Sequence, residues 1–223
     1  MNLPDFSFEK KIYKKGYRVI AGVDEVGRGA FAGPVVAATV AFAPNSKFEI
    51  LNSKQIRIND SKKLNSRQRE RAMFWIKRNA VCYGIGWASV SQINKLGIKK
   101  ASEIAFRKAI INCNKRIDYL LIDAFYIPYV KGLRRKNQKA IVKGDAKSLS
   151  IAAASIIAKV YRDKLMTKLA DNPKYKKYGW DKSKGYGTSS HRKAIQKYGS
   201  TRYHRKRFIR TYIPKSEALN PKF

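Results

Sequence analysis

Short apolar runs recur through the first two thirds of the chain, and each is bounded by glycine, proline or polar residues. Runs of this length that are rich in β-branched residues are typical of buried strands. The pattern predicts five strands, at 17–26, 35–42, 81–90, 119–122 and 140–142. A polar loop is expected over 47–58.

Longer segments between these runs have the composition or the spacing of helices. Residues 66–79 are rich in helix-forming residues, and Ser66 is a candidate N-cap. Apolar residues recur at helical spacing over 98–112. Residues 148–168 are apolar on most sides in their first half, which predicts a helix at the centre of the domain. The order β-β-α-β-α-β-β-α predicts a mixed α/β fold, with helices packed around one sheet.

The balance of charge indicates that this α/β domain binds a polyanion. The 223 residues include 49 Lys and Arg against 15 Asp and Glu, a formal charge of +34. Nucleic acid is the commonest partner of such a surface. Hydrophobic residues make up 44% of the chain, which argues against a disordered basic tail protein.

The length predicts one domain with a terminal extension. We expect residues 1–170 to form the α/β domain, and the more densely basic residues 171–223 to form a helical extension with a loose tail after Pro214. Two cysteines, Cys82 and Cys113, are too few for a disulfide framework or a four-ligand zinc site. That count fits a reducing compartment and predicts a cytoplasmic protein. We expect no N-terminal signal and no membrane span, because the apolar runs are too short.

Four acidic residues fall where predicted strands end or in the turns beside them: Asp24, Glu25, Asp123 and Asp145. Carboxylate oxygens hold hard divalent cations, and two such cations can promote phosphodiester cleavage. The pattern therefore predicts a nuclease in which acids hold metal and the basic surface holds phosphate. A solvated strand end explains the neighbouring pair Asp24 and Glu25 equally well on spacing alone, since adjacent residues on a regular strand point to opposite faces.

Other candidate residues have two interpretations each. Gly27-Arg28-Gly29 forms either a plain turn or a backbone contact to a sugar or phosphate. Ser61 and Lys62, in the segment NDSKK before a predicted helix, offer a hydroxyl and an ammonium donor; otherwise Asp60 or Ser61 is a helix cap and Lys62 is solvated.

Three further residues lie beside these motifs. Lys143 is either solvated surface charge or a group that neutralises the transition state. Asp163 competes with Asp145 as the fourth acid, and it is otherwise a residue that orients a ligand or a surface ion pair on a helix. His191 is either a packing residue or a phosphate contact.

The chain resembles ribonuclease HII, the type 2 ribonuclease H family, in five separated motifs that occur in family order. The motifs are AGVDEVGRGAFAGP at 21–34, NDSKKL at 59–64, LIDA at 121–124, KGDAKSLSIAAASIIAKVYRD at 143–163 and KGYGTSSH at 184–191. The resemblance implies a ribonuclease H-like fold with a mixed central sheet flanked by helices and a helical C-terminal extension. It implies cleavage of the RNA strand of RNA–DNA hybrids and cleavage 5′ of single ribonucleotides in duplex DNA, with Mg²⁺ or Mn²⁺ as cofactor.

The resemblance also implies residue roles and a place in DNA replication and repair. The implied catalytic metal ligands are Asp24, Glu25, Asp123 and Asp145. The implied sensor of the ribose 2′-hydroxyl is the backbone of Gly27, Arg28 and Gly29. The implied phosphate contacts are Ser61 and Lys62. Tyr186 is implied to pack against the deoxyribose at the RNA-to-DNA junction.

Two other function classes account for part of the pattern. A non-enzymatic RNA-binding protein explains the charge, but acids at strand ends would repel its ligand. Another metal-dependent nuclease of the same fold, acting on branched DNA or as an integrase, would lack the ribose-sensing turn and the GYGT segment. We expect a monomer that contacts a replication clamp, if at all, through the tail after Pro214.

Overall fold

The computed structural model describes residues 3–44 and 58–212. Nearly all of the predicted polar loop at 47–58 and the predicted loose tail after Pro214 therefore lie outside the described residues. Within the described residues, no helix is both long enough and apolar enough to span a membrane.

A mixed five-stranded sheet confirms the predicted fold class. Its strands are β1 (Ile20–Val26), β2 (Val35–Ala41), β3 (Cys82–Ala88), β4 (Tyr119–Asp123) and β5 (Gln138–Ile141). The strand order is β3-β2-β1-β4-β5. β1 runs antiparallel to β2 and parallel to β4, and β4 runs parallel to β5. The carboxyl ends of β1 and β4 consequently lie at the same edge of the sheet.

Helices account for most of the remaining described residues. They are α1 (Ser7–Tyr13), α2 (Ser66–Asn79), α3 (Val90–Ile111), α4 (Leu149–Ala170), α5 (Pro173–Lys176), α6 (Trp180–Ser183), α7 (Ser189–Tyr198) and α8 (Lys206–Ile209). α3 begins well before the predicted start, because the backbone breaks at Gly97 (φ 80°) and interrupts the apolar spacing. The cap of α2 is Asn65 and not Ser66, since Asn65 and Gln68 form a reciprocal capping box.

The chain divides into two compact units. The first unit consists of Met1–Val26, Val36–Trp87 and Glu103–Val160. The second unit consists of Gly27–Val35, Ala88–Ser102 and Tyr161–Phe223. The basic extension thus groups with the segment that follows β1 and with the first part of α3.

Close contact between α4 and the sheet organises the first unit. β2, α2 and α4 share one apolar cluster. Gly22 on β1 permits the close approach of α4, because a Cβ at this position would collide with the backbone of Ser150 and Ile151. One disulfide joins Cys82 to Cys113, with the two Cα atoms 5.4 Å apart. The cysteine count did not predict this bond.

A buried carboxylate holds the start of α4. Glu9 of α1 is fully buried, and its Oε1 accepts hydrogen bonds from Ser148 Oγ at 2.6 Å and from the Ser150 N–H at 3.0 Å. Burial raises the pKa of Glu9 above its ordinary value. Among the described residues, neither Glu9 Oε2 nor Ser150 Oγ has a hydrogen-bond partner.

Replacing Glu9 with glutamine is expected to stabilise the protein relative to wild type, and to do so more at alkaline pH than at acidic pH. The folded state holds the Glu9 proton more tightly than the unfolded chain does. The stability that protonated Glu9 contributes is therefore full below the ordinary pKa of about 4.3 and is lost as pH rises. A neutral amide also offers an N–H to Ser150 Oγ. We expect the variant to melt higher than wild type at pH 8 by a few degrees, and this gap to shrink at pH 4. Thermal melts between pH 4 and pH 8 measure it, and a gap that does not change with pH would contradict the assignment.

Candidate functional site

Asp24 and Asp123 come from neighbouring parallel strands of the first unit. The register of β1 and β4 pairs Val23 with Ile122, so Asp24 and Asp123 are the next residue on each strand. Asp24 is only 6% exposed, and Asp123 is half-buried. The structure therefore brings together the two acids that the sequence predicts at these strand ends.

The carboxyl of Asp24 lies in a strongly perturbed environment. Burial raises the pKa of Asp24 well above its ordinary value, and the charges of Glu25 and Asp123 raise it further. Hydrogen bonds from the Ser155 side chain and from the Glu25 backbone act in the opposite direction. The Glu25 N–H donates to Asp24 Oδ1 at 2.7 Å and so fixes one carboxylate oxygen.

A tight turn after β5 brings Asp145 to the same group of charges. The Gly144 N–H donates to Asp123 Oδ1 at 2.7 Å. A Cβ at Gly144 would lie 2.7 Å from Cδ1 of Ile151, so a larger residue here would make that side chain shift. Asp145 is 8% exposed, and burial raises its pKa, with further increases from Asp60 and Asp123.

Each carboxylate of this group interacts electrostatically with the next, in the order Glu25, Asp24, Asp123, Asp145 and Asp60. The sequence offers Asp60, inside the NDSKKL motif, only as a helix cap and does not place it among these acids. In the part of the chain that the structure describes, no three His, Cys, Asp or Glu side chains already form a metal cage. The donor set is nonetheless all carboxylate oxygen, which suits Mg²⁺ or Mn²⁺, and a divalent cation would offset the repulsion that raises these pKa values.

Ser61 and Lys62 differ in exposure. Ser61 is 3% exposed, and its Oγ lies 3.0 Å from Ser155 Oγ, so the hydroxyl points inward. Since Ser155 also bonds to Asp24, Ser61 supports the acidic site through Ser155. Lys62 is exposed, and its positive charge lowers the pKa of Asp145. Asp60 Oδ1 caps the turn by accepting the Lys62 N–H at 2.9 Å.

The Gly27-Arg28-Gly29 turn belongs to the second unit, and its two glycines differ. Gly27 is buried with φ 86°, and a Cβ there would collide with the guanidinium of Arg162. Gly29 is exposed, and among the described residues a Cβ there would meet no atom within 4 Å apart from its chain neighbours. The fold therefore requires glycine at position 27 but not at position 29.

Tyr186 is half-buried in the second unit, beside the buried Arg162. The Arg162 guanidinium carbon lies 5.3 Å from the centroid of the Tyr186 ring. Arg162 Nη1 also donates to the Lys184 carbonyl at 2.8 Å, close in sequence to Tyr186. These contacts hold the segment that presents the tyrosine ring. Sequence analysis did not single out Arg162, because a basic residue within a helix is usually a surface residue.

His191 is not available to a phosphate, which corrects one of its two interpretations. The side chain is fully buried. Its Nδ1 bonds to the Tyr186 carbonyl at 2.9 Å, and its Nε2 accepts from Trp180 Nε1 at 3.0 Å. Nε2 also lies 3.1 Å from Nε2 of His204. Burial lowers the pKa of both histidines, that of His204 to about 3, so both are neutral at pH 7.

Asp163 and Lys143 lie in different surroundings. Asp163 is half-buried on α4, its carbonyl accepts from Thr167 Oγ1 at 3.0 Å, and its charge raises the pKa of Arg162. Lys143 is exposed in a left-handed conformation (φ 55°) at the start of the Gly144–Ala146 turn. Its place in this turn keeps the ammonium group on the surface.

Comparisons with known proteins identify relatives over most of the chain. The family model for Ribonuclease HII matches residues 21–211. A Ribonuclease HII of Clostridioides difficile (strain 630) is 46% identical over 207 residues, which cover 92% of this chain and 76% of that protein.

Solved structures of similar proteins share the fold. In the PCNA:RNase HII complex from Archaeoglobus fulgidus, the matching chain has a TM-score of 0.67 at 25% identity, with 85% of this chain and 94% of that chain covered. Bst-RNase HIII in complex with Mn²⁺ has a TM-score of 0.68 at 20% identity, with 93% of this chain and 71% of that chain covered. The family model, together with the relative that shares nearly half of its residues, shows that this chain belongs to the ribonuclease HII family of ribonuclease H nucleases.

Proposed function

We propose that this nuclease is a metal-dependent endonuclease that cuts the RNA strand of RNA–DNA hybrids and cuts 5′ of single ribonucleotides in duplex DNA. The observation that carries the proposal is the series of mutually repelling carboxylates at the ends of β1 and β4, inside a chain of charge +34. Buried carboxylates that raise one another's pKa are costly unless a cation compensates them. The cell would use this activity to remove ribonucleotides from DNA during replication and repair.

The acids would act as ligands of Mg²⁺ or Mn²⁺. The proposed ligands are Asp24, Glu25, Asp123 and Asp145. Bound cations of this kind supply an activated water and stabilise the departing 3′-oxygen, which leaves 5′-phosphate and 3′-hydroxyl ends. The chain's own contribution is orientation: the Glu25 N–H and Ser155 fix Asp24, and the Gly144 N–H fixes Asp123.

The exposed turn at Gly29 would read the ribose. The contacts of the fold do not require glycine at this position, and glycine lets a ligand approach the backbone closely. A 2′-hydroxyl donates and accepts hydrogen bonds, so it can bond to backbone groups that a deoxyribose cannot engage. Arg28 and Lys62 are both exposed cations, and each would contact a phosphate of the substrate.

Tyr186→Ala is expected to lower cleavage at a single embedded ribonucleotide by about tenfold more than cleavage of a long hybrid, because aromatic packing on a nucleotide is worth a factor of this order. The single-ribonucleotide substrate always places a deoxyribose next to the ribonucleotide, whereas the RNA strand of a long hybrid has ribose on both sides of each interior bond. Tyr186→Phe keeps the ring and should retain most activity. Rates on the two substrates measure the difference, and equal losses would contradict the junction role.

One set of cleavage reactions tests the proposed function as a whole. The substrates are a duplex with one ribonucleotide, the same duplex in DNA only, and a long RNA–DNA hybrid, each with Mg²⁺, Mn²⁺ or chelator. We expect cuts in the first and third substrates with either metal, and none with chelator. Cleavage of the DNA-only duplex would favour the branched-DNA class of nuclease, and binding without cleavage would favour a non-enzymatic RNA-binding protein.

We further propose that the enzyme acts as a monomer on these nucleic acids. The Archaeoglobus fulgidus RNase HII occurs in a complex with PCNA, which supports a clamp contact for this chain. The tail after Pro214, proposed for that contact, lies outside the described residues.

A further inference from the structure

Two arginines of the second unit are buried in an unusual way. Arg162 and Arg205 are both fully buried. The hydrogen-bond partners described for their guanidinium groups are backbone carbonyls, those of Pro34, Lys184, Ala32, Gly33 and Arg28. Burial lowers the pKa of both groups, that of Arg205 to about 9. Packing alone does not explain a buried cation, since an apolar side chain of similar size is often as stable or more stable.

Arg205 holds the turn that follows β1 from the inside. Its Nη1 donates to the Arg28 carbonyl at 2.8 Å, and its Nε donates to the Gly33 carbonyl at 3.0 Å. Its backbone N–H donates to the Phe31 carbonyl at 2.8 Å. Arg205 therefore contacts three carbonyls between Arg28 and Gly33 and fixes the path of the backbone in that segment.

The contact at Arg28 determines the orientation of a single peptide group. The peptide between Arg28 and Gly29 is planar and trans, so its C=O and its N–H point in opposite directions. Because the carbonyl points to the buried guanidinium, the Gly29 N–H points away from it. Gly29 is exposed, with open space where a Cβ would lie. A cation on the carbonyl also polarises the peptide group and strengthens its N–H as a donor.

We propose that Arg205 is a positioning residue for ribose recognition, which aims and strengthens the Gly29 N–H that meets the 2′-hydroxyl oxygen of the substrate. This inference rests on the proposed function, because it assumes that the turn at Gly29 reads the ribose. Arg205 does not touch the substrate in this account. It acts through one peptide group, and its effect depends on the 2′-hydroxyl.

The residues that precede Arg205 are themselves held by hydrogen bonds. The neighbouring His204 accepts the Thr201 N–H on Nδ1 at 2.9 Å, which leaves its Nε2–H to donate to His191 Nε2 at 3.1 Å. The Gly33 N–H donates to the Tyr203 carbonyl at 2.9 Å. Arg205 Nη2 is buried without a partner among the described residues. The residues before Arg205 are thus held in place, while one nitrogen of its guanidinium has no partner among the described residues.

A double-mutant cycle between Arg205 and the 2′-hydroxyl tests the proposal. The substrates are a duplex with one ribonucleotide and the same duplex with a 2′-fluoro nucleotide, which keeps the sugar shape but accepts hydrogen bonds poorly. Arg205→Met should lower kcat/KM on the ribonucleotide by about tenfold more than on the 2′-fluoro substrate, since one hydrogen bond is worth a factor of this order. Arg207→Met, which removes an exposed charge nearby, should lower both rates equally.

The possible results separate this inference from the proposed function. Equal losses of Arg205→Met on both substrates would overturn the positioning role and leave the proposed function intact. A wild-type enzyme that cuts both substrates equally well would overturn ribose sensing itself. If Arg205→Met does not fold, Arg205→Lys decides the question, because lysine keeps the charge but lacks the planar fork. Arg205→Lys should show a smaller but equally selective loss of kcat/KM on the ribonucleotide substrate. An equal loss on both substrates would again overturn the positioning role.

Discussion

Replacing Asp24 with asparagine is expected to abolish cleavage while the protein still binds an RNA–DNA hybrid. Asp24 is the most buried of the four acids and interacts with both Glu25 and Asp123. The substitution removes the charge that a metal would need and keeps the size of the side chain. We expect kcat to fall by about 10³-fold or more, since changing a group that only orients a metal ligand already costs 10–100-fold.

The same substitution should change stability in the opposite direction. The folded state raises the pKa of Asp24, so its ionised form destabilises the protein at neutral pH when no metal is present. In chelator at pH 7, Asp24→Asn should therefore melt higher than wild type. Added Mn²⁺ should raise the melting temperature of wild type more than that of the variant. Asp171→Asn, the same change at an exposed position, is the control and should alter neither cleavage nor melting.

A variant that cut at the wild-type rate would contradict the metal assignment. Loss of hybrid binding together with cleavage would instead indicate that Asp24 supports the fold of the binding surface. Rates under single-turnover conditions and affinities from titration of labelled hybrid separate the two results.

Alanine substitutions at the two glycines of the Gly27-Arg28-Gly29 turn are expected to have different effects, one on stability and the other on cleavage. Gly27 has φ 86°, and a Cβ there would collide with the buried guanidinium of Arg162. A left-handed alanine costs about 1–2 kcal/mol, and overpacking a core adds about 1–3 kcal/mol. Gly27→Ala should therefore lower the melting temperature by about 10 °C.

Gly29→Ala should leave the melting temperature almost unchanged. Beyond its two chain neighbours, no atom of the described residues lies within 4 Å of the added methyl group, so its effect falls on the substrate. We expect cleavage at a single ribonucleotide to fall by about 100-fold, since a displacement of about 1 Å at the reacting group has this effect. Melting curves and cleavage rates measure both variants. A destabilised Gly29→Ala, or one that cuts normally, would contradict the role of Gly29 in close approach to the ribose.

The hydrophobic pattern was sufficient to predict the sheet and the acids at its edge. All five strands lie where short apolar runs predicted them, because a strand buried in a sheet must be apolar whatever surrounds it. The same pattern placed Asp24 and Asp123 at strand ends, and the parallel pairing of β1 with β4 makes them neighbours. The bounds of α2 were also predicted, but its cap was not, since Asn65 and Ser66 are both good caps and the Gln68 side chain decides between them.

The parts that the sequence did not predict depend on contacts between distant residues. Arg205 bonds to the Arg28 carbonyl across 177 positions, and no local pattern distinguishes it from the surface arginines around it. His191 has the same difficulty, because its partners Trp180 and His204 come from other elements. α1 was missed as well, since seven residues are too few to show helical spacing. Local periodicity predicts elements, but buried polar contacts are determined by tertiary structure.

A crystal structure with Mn²⁺, phased on the anomalous signal of the metal, would show which carboxylates hold the ion. The expected result is manganese bound by the carboxylates of Asp24, Glu25, Asp123 and Asp145. Manganese bound elsewhere while these four side chains remain without metal would contradict it.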